Sequence, residues 1–335
     1  MSKLSFFLKR LRRMDTERFK KTFRELRGLT SKRTLPLALD LLVCGLKYNA
    51  GYMDYKIARM DRLSAAQRRT VITRGISNSI VKRMNNKAYW HLFDDKCLFN
   101  ERFAPWVDRA WLRSDAALSM EQLATFCTGK GPLFVKPLEG SSGVGVERVE
   151  PEDFLDIPAF FKRLRAKGDC IVEETVIQHP DMARLYPGSV NTVRIATLLG
   201  DKAQGIVYAF VRIGNGRVMD NVDAGGMAAR VELNSGVIQT VAADKQGREF
   251  ARHPLTDEPI TGFVLPYFEE AKQMCLEAML IVPQVRFVAW DVALTAQGPR
   301  LIEGNSFPSH AVPQFAAHYP DGIGILPEFE KFITL

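Results

Sequence analysis

Apolar residues recur at helical spacing through residues 1–90. In the segment 2–28 they fall at i, i+4 and i+7 with lysines and arginines between them, first as Leu4, Leu8 and Leu11 and then as Phe19, Phe23 and Leu26. The pattern predicts a basic amphipathic helix. Such a helix can contact an anionic membrane or an acidic partner, or it can pack its apolar stripe on the body of the protein, which we favour. Residues 34–90 continue in a helical style.

The pattern changes to short apolar runs separated by turns in the second part of the chain. Strands are predicted at 133–135, 144–149, 170–176, 189–199, 205–213, 228–233 and 237–241, a helix at 268–280, and a final hairpin at 287–294 and 300–303. No strand followed by a glycine-rich turn opens the chain, so a dinucleotide-binding fold is not indicated.

The final hairpin carries polar residues inside apolar strands. With its turn centred near Gln297, Asp291 and Glu303 are predicted to be cross-strand partners, and Asn305 lies on the same face. Two carboxylates and an amide oxygen would suit Mg²⁺, which binds hard oxygen ligands. The hairpin residues alone leave open a second interpretation, in which the acids face solvent.

Composition and charge exclude several classes of protein. The chain has 335 residues, 46% of them hydrophobic, and a net charge of +8. Residues 1–33 contribute +9, so the remainder is nearly neutral and no basic nucleic-acid-binding domain is indicated. Five scattered cysteines without a Cys-x-x-Cys pair favour free thiols, and no run has the length of a membrane span or a signal peptide. We expect a cytoplasmic protein that does not bind nucleic acid.

A second set of candidate residues forms a small-residue loop between two predicted strands. Lys136 ends the first strand, and the loop contains Glu139, Gly140, Ser141, Ser142, Gly143 and Gly145. Glycine and serine let backbone N–H groups approach phosphate oxygens, and a lysine adds positive charge. A flexible hairpin is the alternative, but the combination favours nucleotide phosphate binding. The strand–loop–strand context excludes the P-loop, which requires a helix after the loop.

Three other charged residues are ambiguous on their own. Lys96 could be an ordinary surface lysine. Glu173, at the polar end of the run 170–176, could read an adenine amino group, although an edge strand with solvated acids is the simpler interpretation. Arg194 lies in an apolar strand and therefore needs an anionic partner, which could be a substrate carboxylate, a phosphate or a structural acid.

The order of these parts resembles the ATP-grasp superfamily of carboxylate–amine ligases. The glycine loop and the Asp291…Glu303-Gly-Asn305 hairpin look like those of D-alanine–D-alanine ligases. The second half is closer to the sugar-transfer-associated ATP-grasp proteins, which are α-L-glutamate ligase-like. The segments that carry this likeness are Ser-Val-Asn191-Thr-Val-Arg194, Gly225-Gly226, Thr261-Gly-Phe-Val-Leu-Pro266 and Trp290-Asp291 with Glu303-Gly-Asn305.

The resemblance implies an α+β ATP-grasp fold, with two lobes that grip ATP behind the helical N-terminal region, and roles for the candidate residues. Lys96, Lys136 and the loop would hold ATP phosphates, with Glu173, Glu174, Thr175 and Val176 at the adenine. Asp291, Glu303 and Asn305 would hold one or two Mg²⁺ ions, with Mn²⁺ as a possible substitute. The implied domains are a helical region at 1–90 that includes the basic leader 1–33, an N-terminal ATP-grasp lobe at 91–175, and a C-terminal lobe with the metal site at 176–335.

The chain departs from the D-alanine–D-alanine ligase pattern at one catalytic position. That pattern has an arginine two residues before the metal aspartate, where this chain has Ala289. We move the role of stabilising an acyl phosphate to Arg194, with Arg230 as the second candidate. Asp181 is our candidate for the ribose. Since residues 1–90 are helical where related ligases carry an α/β lobe, the resemblance leaves the acceptor open.

The resulting expectation is an ADP-forming ligase that joins a carboxylate to an amine through an acyl phosphate, in cell-surface polysaccharide or glycoconjugate synthesis. One alternative is a kinase that phosphorylates a sugar or polyol hydroxyl. Another is a nucleotide-binding interaction module with little turnover. The expected partners are ATP, an unidentified carboxylate substrate and an amine or hydroxyl acceptor.

Overall fold

The computed structural model describes residues 15–140 and 143–335. Its α-helices are α1 Thr16–Leu29, α2 Thr34–Lys47, α3 Tyr52–Ile57, α4 Ala65–Arg68, α5 Arg74–Met84, α6 His91–Asp94, α7 Lys96–Arg102, α8 Ala104–Val107, α9 Met120–Cys127, α10 Ile157–Lys167, α11 Pro180–Leu185, α12 Phe268–Ala278 and α13 Leu326–Glu330. Its strands are β1 Trp111–Ser114, β2 Leu133–Pro137, β3 Glu147–Val149, β4 Cys170–Glu174, β5 Thr192–Leu199, β6 Gln204–Ile213, β7 Met227–Arg230, β8 Ala242–Ala243, β9 Glu249–Phe250, β10 Phe287–Thr295 and β11 Gly298–Asn305. Short 3₁₀ turns lie at Met60–Arg62, Lys87–Tyr89, Pro151–Phe154, Val222–Ala224, Val312–Gln314 and Ala316–His318.

The N-terminal region is helical, as the spacing of apolar residues predicts. Helix α1 starts where the Asp15 side chain accepts a hydrogen bond from the Arg18 backbone N–H. Its apolar stripe turns inward, since Leu26 is fully buried and the Phe19 ring lies 5.4 Å from the Tyr52 ring. For this half of the leader, packing on the body is therefore the interpretation that the structure confirms. The first half, with Leu4, Leu8 and Leu11, lies outside the described residues.

A four-stranded antiparallel sheet follows, with the order β1-β4-β2-β3. Helices α9 and α10 cover one face and contribute Leu123 and Leu164 to a core shared with Val135 and Val172. Strand β4 lies between β1 and β2, so the interpretation of 170–176 as an edge strand with solvated acids is wrong. The error is physical in origin, because the place of a strand in a sheet depends on partners distant in sequence.

A seven-stranded antiparallel sheet forms the rest, with the order β11-β10-β5-β6-β7-β8-β9. One face packs on α12 through a core that includes Ile195 and Trp290. The other face is apolar at one end only, where Leu198 and Phe287 pack with residues of α5 and α13. At its other end the same face carries arginines and acids. The acids of the predicted metal-binding hairpin lie at this polar end, where Asp291 is fully buried.

Several smaller expectations can be compared with the structure. All five cysteines are buried and unpaired, as their scattered positions predict. Asp181 lies in helix α11, whose first turn contains Pro180, a residue that suits that position. None of the helices between residues 15 and 335, as far as they are described, is long and apolar enough to cross a membrane. The boundaries 1–90, 91–175 and 176–335 stay a proposal.

Candidate nucleotide and metal site

The hairpin of β10 and β11 places its two acids opposite each other. Asp291 pairs with Glu303, as the sequence predicts, while Thr295 pairs with Gly298 at the tip. These two pairs do not share one register, because a bulge between Asp291 and Val292 leaves Ile302 as an extra residue. Without the bulge Asp291 would face Ile302. The bulge therefore brings the second carboxylate to the first, a use typical of bulges beside functional sites.

Asp291 is completely buried and paired with two arginines. Its Oδ1 accepts from Arg194 Nε at 2.6 Å and its Oδ2 from Arg194 Nη2 at 2.6 Å. Arg212 Nη2 lies 2.8 Å from the same Oδ2. Although burial opposes ionisation, the two guanidinium groups hold the pKa of Asp291 well below its usual range. The anionic partner that Arg194 requires is thus, in this structure, a structural acid.

Arg212 and Asp220 extend this network, and neither was singled out in the sequence. Arg212 donates from Nε and Nη2 to Thr192 Oγ1 at 2.9 and 2.7 Å, and its Nε lies 3.4 Å from Asp220 Oδ2. Burial raises the pKa of Asp220, and Asp291 acts in the same direction. The signal was present, because Arg212 is a charged residue inside an apolar strand, as Arg194 is.

Glu303 differs from Asp291 in its exposure. Its side chain is 42% exposed and hydrogen-bonds the Asp291 carboxyl group. Partial burial and the adjacent negative charge raise the pKa of Glu303 to about 7. Asn305 donates from Nδ2 to the Ala289 carbonyl oxygen at 3.1 Å, which fixes the orientation of its amide. Arg194 Nη2 lies 3.9 Å from Glu303 Oε1, so Glu303 is compensated less closely than Asp291.

The donor set fits a divalent cation in type. A carboxylate has about four lone-pair sites, and the arginines occupy three of those on Asp291. The remaining site can serve either the Glu303 proton or a metal ion, so a metal here would take most of its ligands from Glu303 and Asn305. No group of three or more His, Cys, Asp or Glu side chains with metal-binding geometry occurs in the described part of the chain. Asp291, Glu303 and Asn305 supply two carboxylates and one amide, so they do not form such a group.

The glycine loop lies beside two lysines. Lys96, at the start of α7, donates from Nζ to the carbonyl oxygens of Leu138 and Gly140 at 3.3 Å each. Burial lowers the pKa of Lys96, nearby Lys136 adds to this, and Glu303 opposes it. The charges of Lys136 and Glu303 both act on Lys96, which itself contacts the glycine loop, so these groups are neighbours. Ser141 and Ser142 lie outside the described residues.

Glycine is required at two positions of this loop. Gly143 has φ +73°, and a Cβ there would lie 2.4 Å from the Met219 sulfur. Gly145 has φ +75°, and its Cβ would lie 2.8 Å from Pro137 Cγ. Both the backbone conformation and the close approach therefore favour glycine. Glu139, in the same loop, raises the pKa of Asp94 by its charge, which adds to the effect of burial.

Glu173 is buried, and its carboxylate already accepts hydrogen bonds from neighbouring side chains. Its side chain is 2% exposed and accepts from Asn100 Nδ2 at 2.9 Å, from Arg109 Nη2 at 2.9 Å and from Lys136 Nζ. Arg109 and Lys136 hold the pKa of Glu173 well below its usual range, although burial opposes this. In this arrangement Glu173 positions Lys136 at the end of β2.

The other predicted hinge residues are partly engaged. Glu174 accepts from the Ala110 N–H at 2.7 Å and pairs with Lys130. The Thr175 N–H donates to the Pro132 carbonyl oxygen at 3.3 Å. Among the described residues, the Val176 backbone has no hydrogen-bond partner. It is the part of the predicted set that remains available to an adenine edge.

Two predicted residues lie away from this group. Asp181 is half exposed and makes only local ion pairs, with His179 at 3.5 Å and Arg184 at 3.7 Å. Arg230 lies on the same sheet face as Arg194, two strands away, a separation of about 10 Å. Its guanidinium lies 4.5 Å from the centre of the Tyr319 ring, and no described acid pairs with it.

Comparison with known proteins identifies the family. Residues 159–330 match the family model for sugar-transfer associated ATP-grasp proteins. The chain belongs to the sugar-transfer associated ATP-grasp family. That membership agrees with the α+β sheets and with the helical region before them, and it confirms the resemblance inferred from the motifs. A search among proteins of curated function finds no match.

Solved structures of ATP-grasp ligases are similar at low identity. D-alanine–D-alanine ligase from Bacillus anthracis is 15% identical over 76% of this chain and 73% of that one, with a TM-score of 0.44. The enzyme from Coxiella burnetii is 14% identical over 72% of this chain and 56% of that one, with a TM-score of 0.42. The ATP-grasp ligase PsnB, complexed with precursor peptide PsnA2 and AMPPNP, is 14% identical over 77% of this chain and 70% of that one, with a TM-score of 0.43. This chain thus spans little more than half of the Coxiella enzyme, and no substrate follows from these likenesses.

Proposed function

We propose that this ATP-grasp protein is an ADP-forming ligase that activates a carboxylate with Mg-ATP and transfers it to an amine. The observation that carries the proposal is the contact of Lys96 with the glycine loop, with Lys136 and Glu303 close enough to act on its charge. Lysines and backbone N–H groups suit phosphate oxygens, while Glu303 and Asn305 offer oxygen ligands to a cation that bridges those phosphates. Family membership in an ATP-grasp group supports the same assignment.

The proposed chemistry needs positioning and charge neutralisation more than a side-chain nucleophile. A substrate carboxylate oxygen attacks the γ-phosphorus and the bond to the β,γ-bridging oxygen breaks. The products of this step are ADP and an acyl phosphate. The amine then attacks the acyl carbon, loses a proton and expels phosphate. Mg²⁺, held by Glu303 and Asn305 with a share of Asp291, would neutralise charge on the β- and γ-phosphates.

The arginines of the sheet face have different tasks in this proposal. Arg194 and Arg212 are committed to Asp291, so their task is to position the hairpin. Arg230, which no described acid neutralises, is available to an anionic group of the substrate. The Tyr319 ring beneath its guanidinium restricts the directions in which that group can approach.

The remaining roles follow the same division. Lys96, Lys136 and Gly140 to Gly145 hold phosphates, the Val176 backbone receives adenine, and Asp181 is retained as the candidate for the ribose. A function in cell-surface polysaccharide or glycoconjugate synthesis is the context we propose, consistent with the description of the family as sugar-transfer associated. Contact of the basic leader with an anionic membrane or an acidic partner, and a cytoplasmic location, stay predictions.

One assay tests the function directly. Purified protein is incubated with Mg-ATP, pooled carboxylates and amines, and hydroxylamine, and ADP, phosphate and acyl hydroxamate are measured. ADP together with a hydroxamate is the expected result. ADP with a phosphorylated product and no free phosphate would instead identify a kinase acting on a hydroxyl group. An Asp291→Asn, Glu303→Gln double variant should lose turnover, and wild-type turnover in that variant would contradict the assignment of the hairpin.

A further inference from the structure

Helix α2 (Thr34–Lys47) is apolar on two opposite faces. The inner face contributes Leu37 and Cys44, both fully buried, to the N-terminal core. The outer face remains in solvent, with exposures of 69% for Leu35, 53% for Leu39, 43% for Leu42, 47% for Val43 and 40% for Leu46. At 100° per residue these five side chains fall within a sector of about 100° that faces away from Leu37 and Cys44.

This outer face is unusual for a helix at the surface of a folded protein. Surface helices normally carry polar residues opposite their buried stripe, and a helix that is apolar all round is normally covered. Single exposed apolar residues such as Leu155 and Ile177 occur elsewhere and need no explanation. Five adjacent ones on a single helix face indicate an interaction surface.

The charges around the stripe indicate what it contacts. Arg33 and Lys47 are exposed at the two ends of α2. The one acid of the helix, Asp40, forms ion pairs with Arg68 at 2.7 Å and with Lys32 at 2.5 Å, so its charge is compensated. The basic leader 1–33, which carries +9, leads into the same helix. The surface therefore combines an apolar stripe with uncompensated positive charge.

We propose that the outer face of α2 docks on an anionic lipid surface. The leucines would enter the headgroup–acyl boundary, and Arg33 and Lys47 would lie at the lipid phosphates, as in other interfacial helices. A second copy of the chain fits less well, because docking on this face would bring two leaders of charge +9 together. The surface is distinct from the stripe of α1, which the structure buries, and it does not depend on the proposed ligase activity.

The test is a flotation assay with the full-length protein. Phosphatidylcholine vesicles with and without phosphatidylserine are compared for the wild type, for Leu35→Glu with Leu39→Glu, and for Leu155→Glu with Leu255→Glu. The control residues are somewhat more exposed, at 80% and 62%, and lie elsewhere. We expect the wild type and the control pair to float with anionic vesicles. The α2 pair should lose roughly tenfold or more in partitioning, since burial of one leucine already contributes about that factor.

Two further measurements keep the outcome decisive. Thermal unfolding should show that the α2 variant is folded, because both replaced side chains point to solvent. The Arg33→Glu, Lys47→Glu variant should bind anionic vesicles more weakly, and its binding should depend less on salt. Equal flotation of the α2 and control pairs would overturn the proposal. A wild type that does not float with anionic vesicles would also overturn it. Sedimentation would then distinguish a dimer, which the α2 pair dissociates, from a monomer whose partner is an acidic protein.

Discussion

Two buried carboxylates, Glu173 in the small sheet and Asp291 in the large one, have similar surroundings at first sight. Each is almost inaccessible to solvent, and each is paired with two cations. In both, burial disfavours the ionised form and the cations restore it, so that the pKa lies well below its usual range. The difference between them lies in the neighbouring charges.

Around Glu173 the cations are in excess. Arg109 and Lys136 face a single carboxylate, and Lys96 lies close enough for Lys136 to lower its pKa. Around Asp291 the acids are in excess, because Asp220 and Glu303 share two arginines with it. One cluster therefore attracts an anion and the other a cation. A nucleotide triphosphate with a bound metal ion supplies both, which is why the two clusters together favour Mg-ATP.

The largest expected effect is on stability. Replacing Asp291 by alanine leaves Arg194 and Arg212 without their main counter-charge in a buried place, and loss of one partner of a buried pair costs about 3–5 kcal/mol. Urea unfolding measures the change. Lys245→Ala is the control, because its pair with Asp223 is exposed and contributes less than about 1 kcal/mol. A similar loss in both variants would show that the Asp291 network does not hold the sheet together.

The next effect is on nucleotide affinity. Replacing Lys136 by methionine should weaken ATP binding by about tenfold or more, since hydrogen bonds to charged groups contribute about 1.5–3 kcal/mol. Stability should change less, because Glu173 keeps Arg109 and Asn100. Lys130→Met is the matched variant, since Lys130 also pairs with a glutamate of β4. Isothermal titration calorimetry that shows equal affinities for the two variants would remove Lys136 from the phosphate site.

A third effect concerns the pH dependence of stability. The pKa of Glu303 in the folded protein, about 7, lies above the value for an unfolded chain, so the folded state binds the extra proton. Stability should therefore fall as pH rises from about 4.5 to 7. Glu303→Gln should remove this fall without destabilising the protein at neutral pH. Parallel curves of wild type and variant across this interval would show that the two acids of the hairpin are not in contact.

The smallest effect comes from a partly buried acid, Asp40, which is distant from the site. Arg68, Lys32 and Tyr55 lower the pKa of Asp40 to about 2, although burial opposes this. Its contribution is present above pH 4 and is lost as pH falls toward 2, and after solvent screening it is on the order of 1 kcal/mol. Acid unfolding of wild type and Asp40→Asn measures it. If Asp40→Asn unfolds at the same acidic pH as the wild type, the ion pairs of Asp40 in α2 contribute nothing to stability.

The sequence predicts the site unevenly. The pairing of Asp291 with Glu303 follows from strand alternation and a turn, which are local properties, although the turn lies at Ala296 and Gln297 and the bulge corrects the offset. The partner of Arg194 could not be predicted, since β5 and β10 are joined by pairing between residues almost one hundred apart. Helical and strand periodicity are local, whereas strand order is a property of the whole fold.

Glu173 and Arg212 illustrate the two kinds of failure. The position of Glu173 in the middle of a sheet depends on β1 and β2, which no local pattern identifies as its neighbours. Arg212, by contrast, could have been found, because it breaks the apolar pattern of its strand just as Arg194 does. Charged residues inside otherwise apolar strands are thus the most informative sequence signal for this site.

The most direct test of the two charge clusters is the effect of Mg²⁺ on ATP affinity. Calorimetry with and without the metal measures it in the wild type, Lys136→Met and Glu303→Gln. We predict that Lys136→Met weakens binding in both conditions, because it removes charge from the anion-attracting cluster. Glu303→Gln should bind metal-free ATP as well as the wild type does and lose only the gain that Mg²⁺ provides. A Glu303→Gln variant that keeps the full Mg²⁺-dependent gain would contradict the assignment of the two clusters.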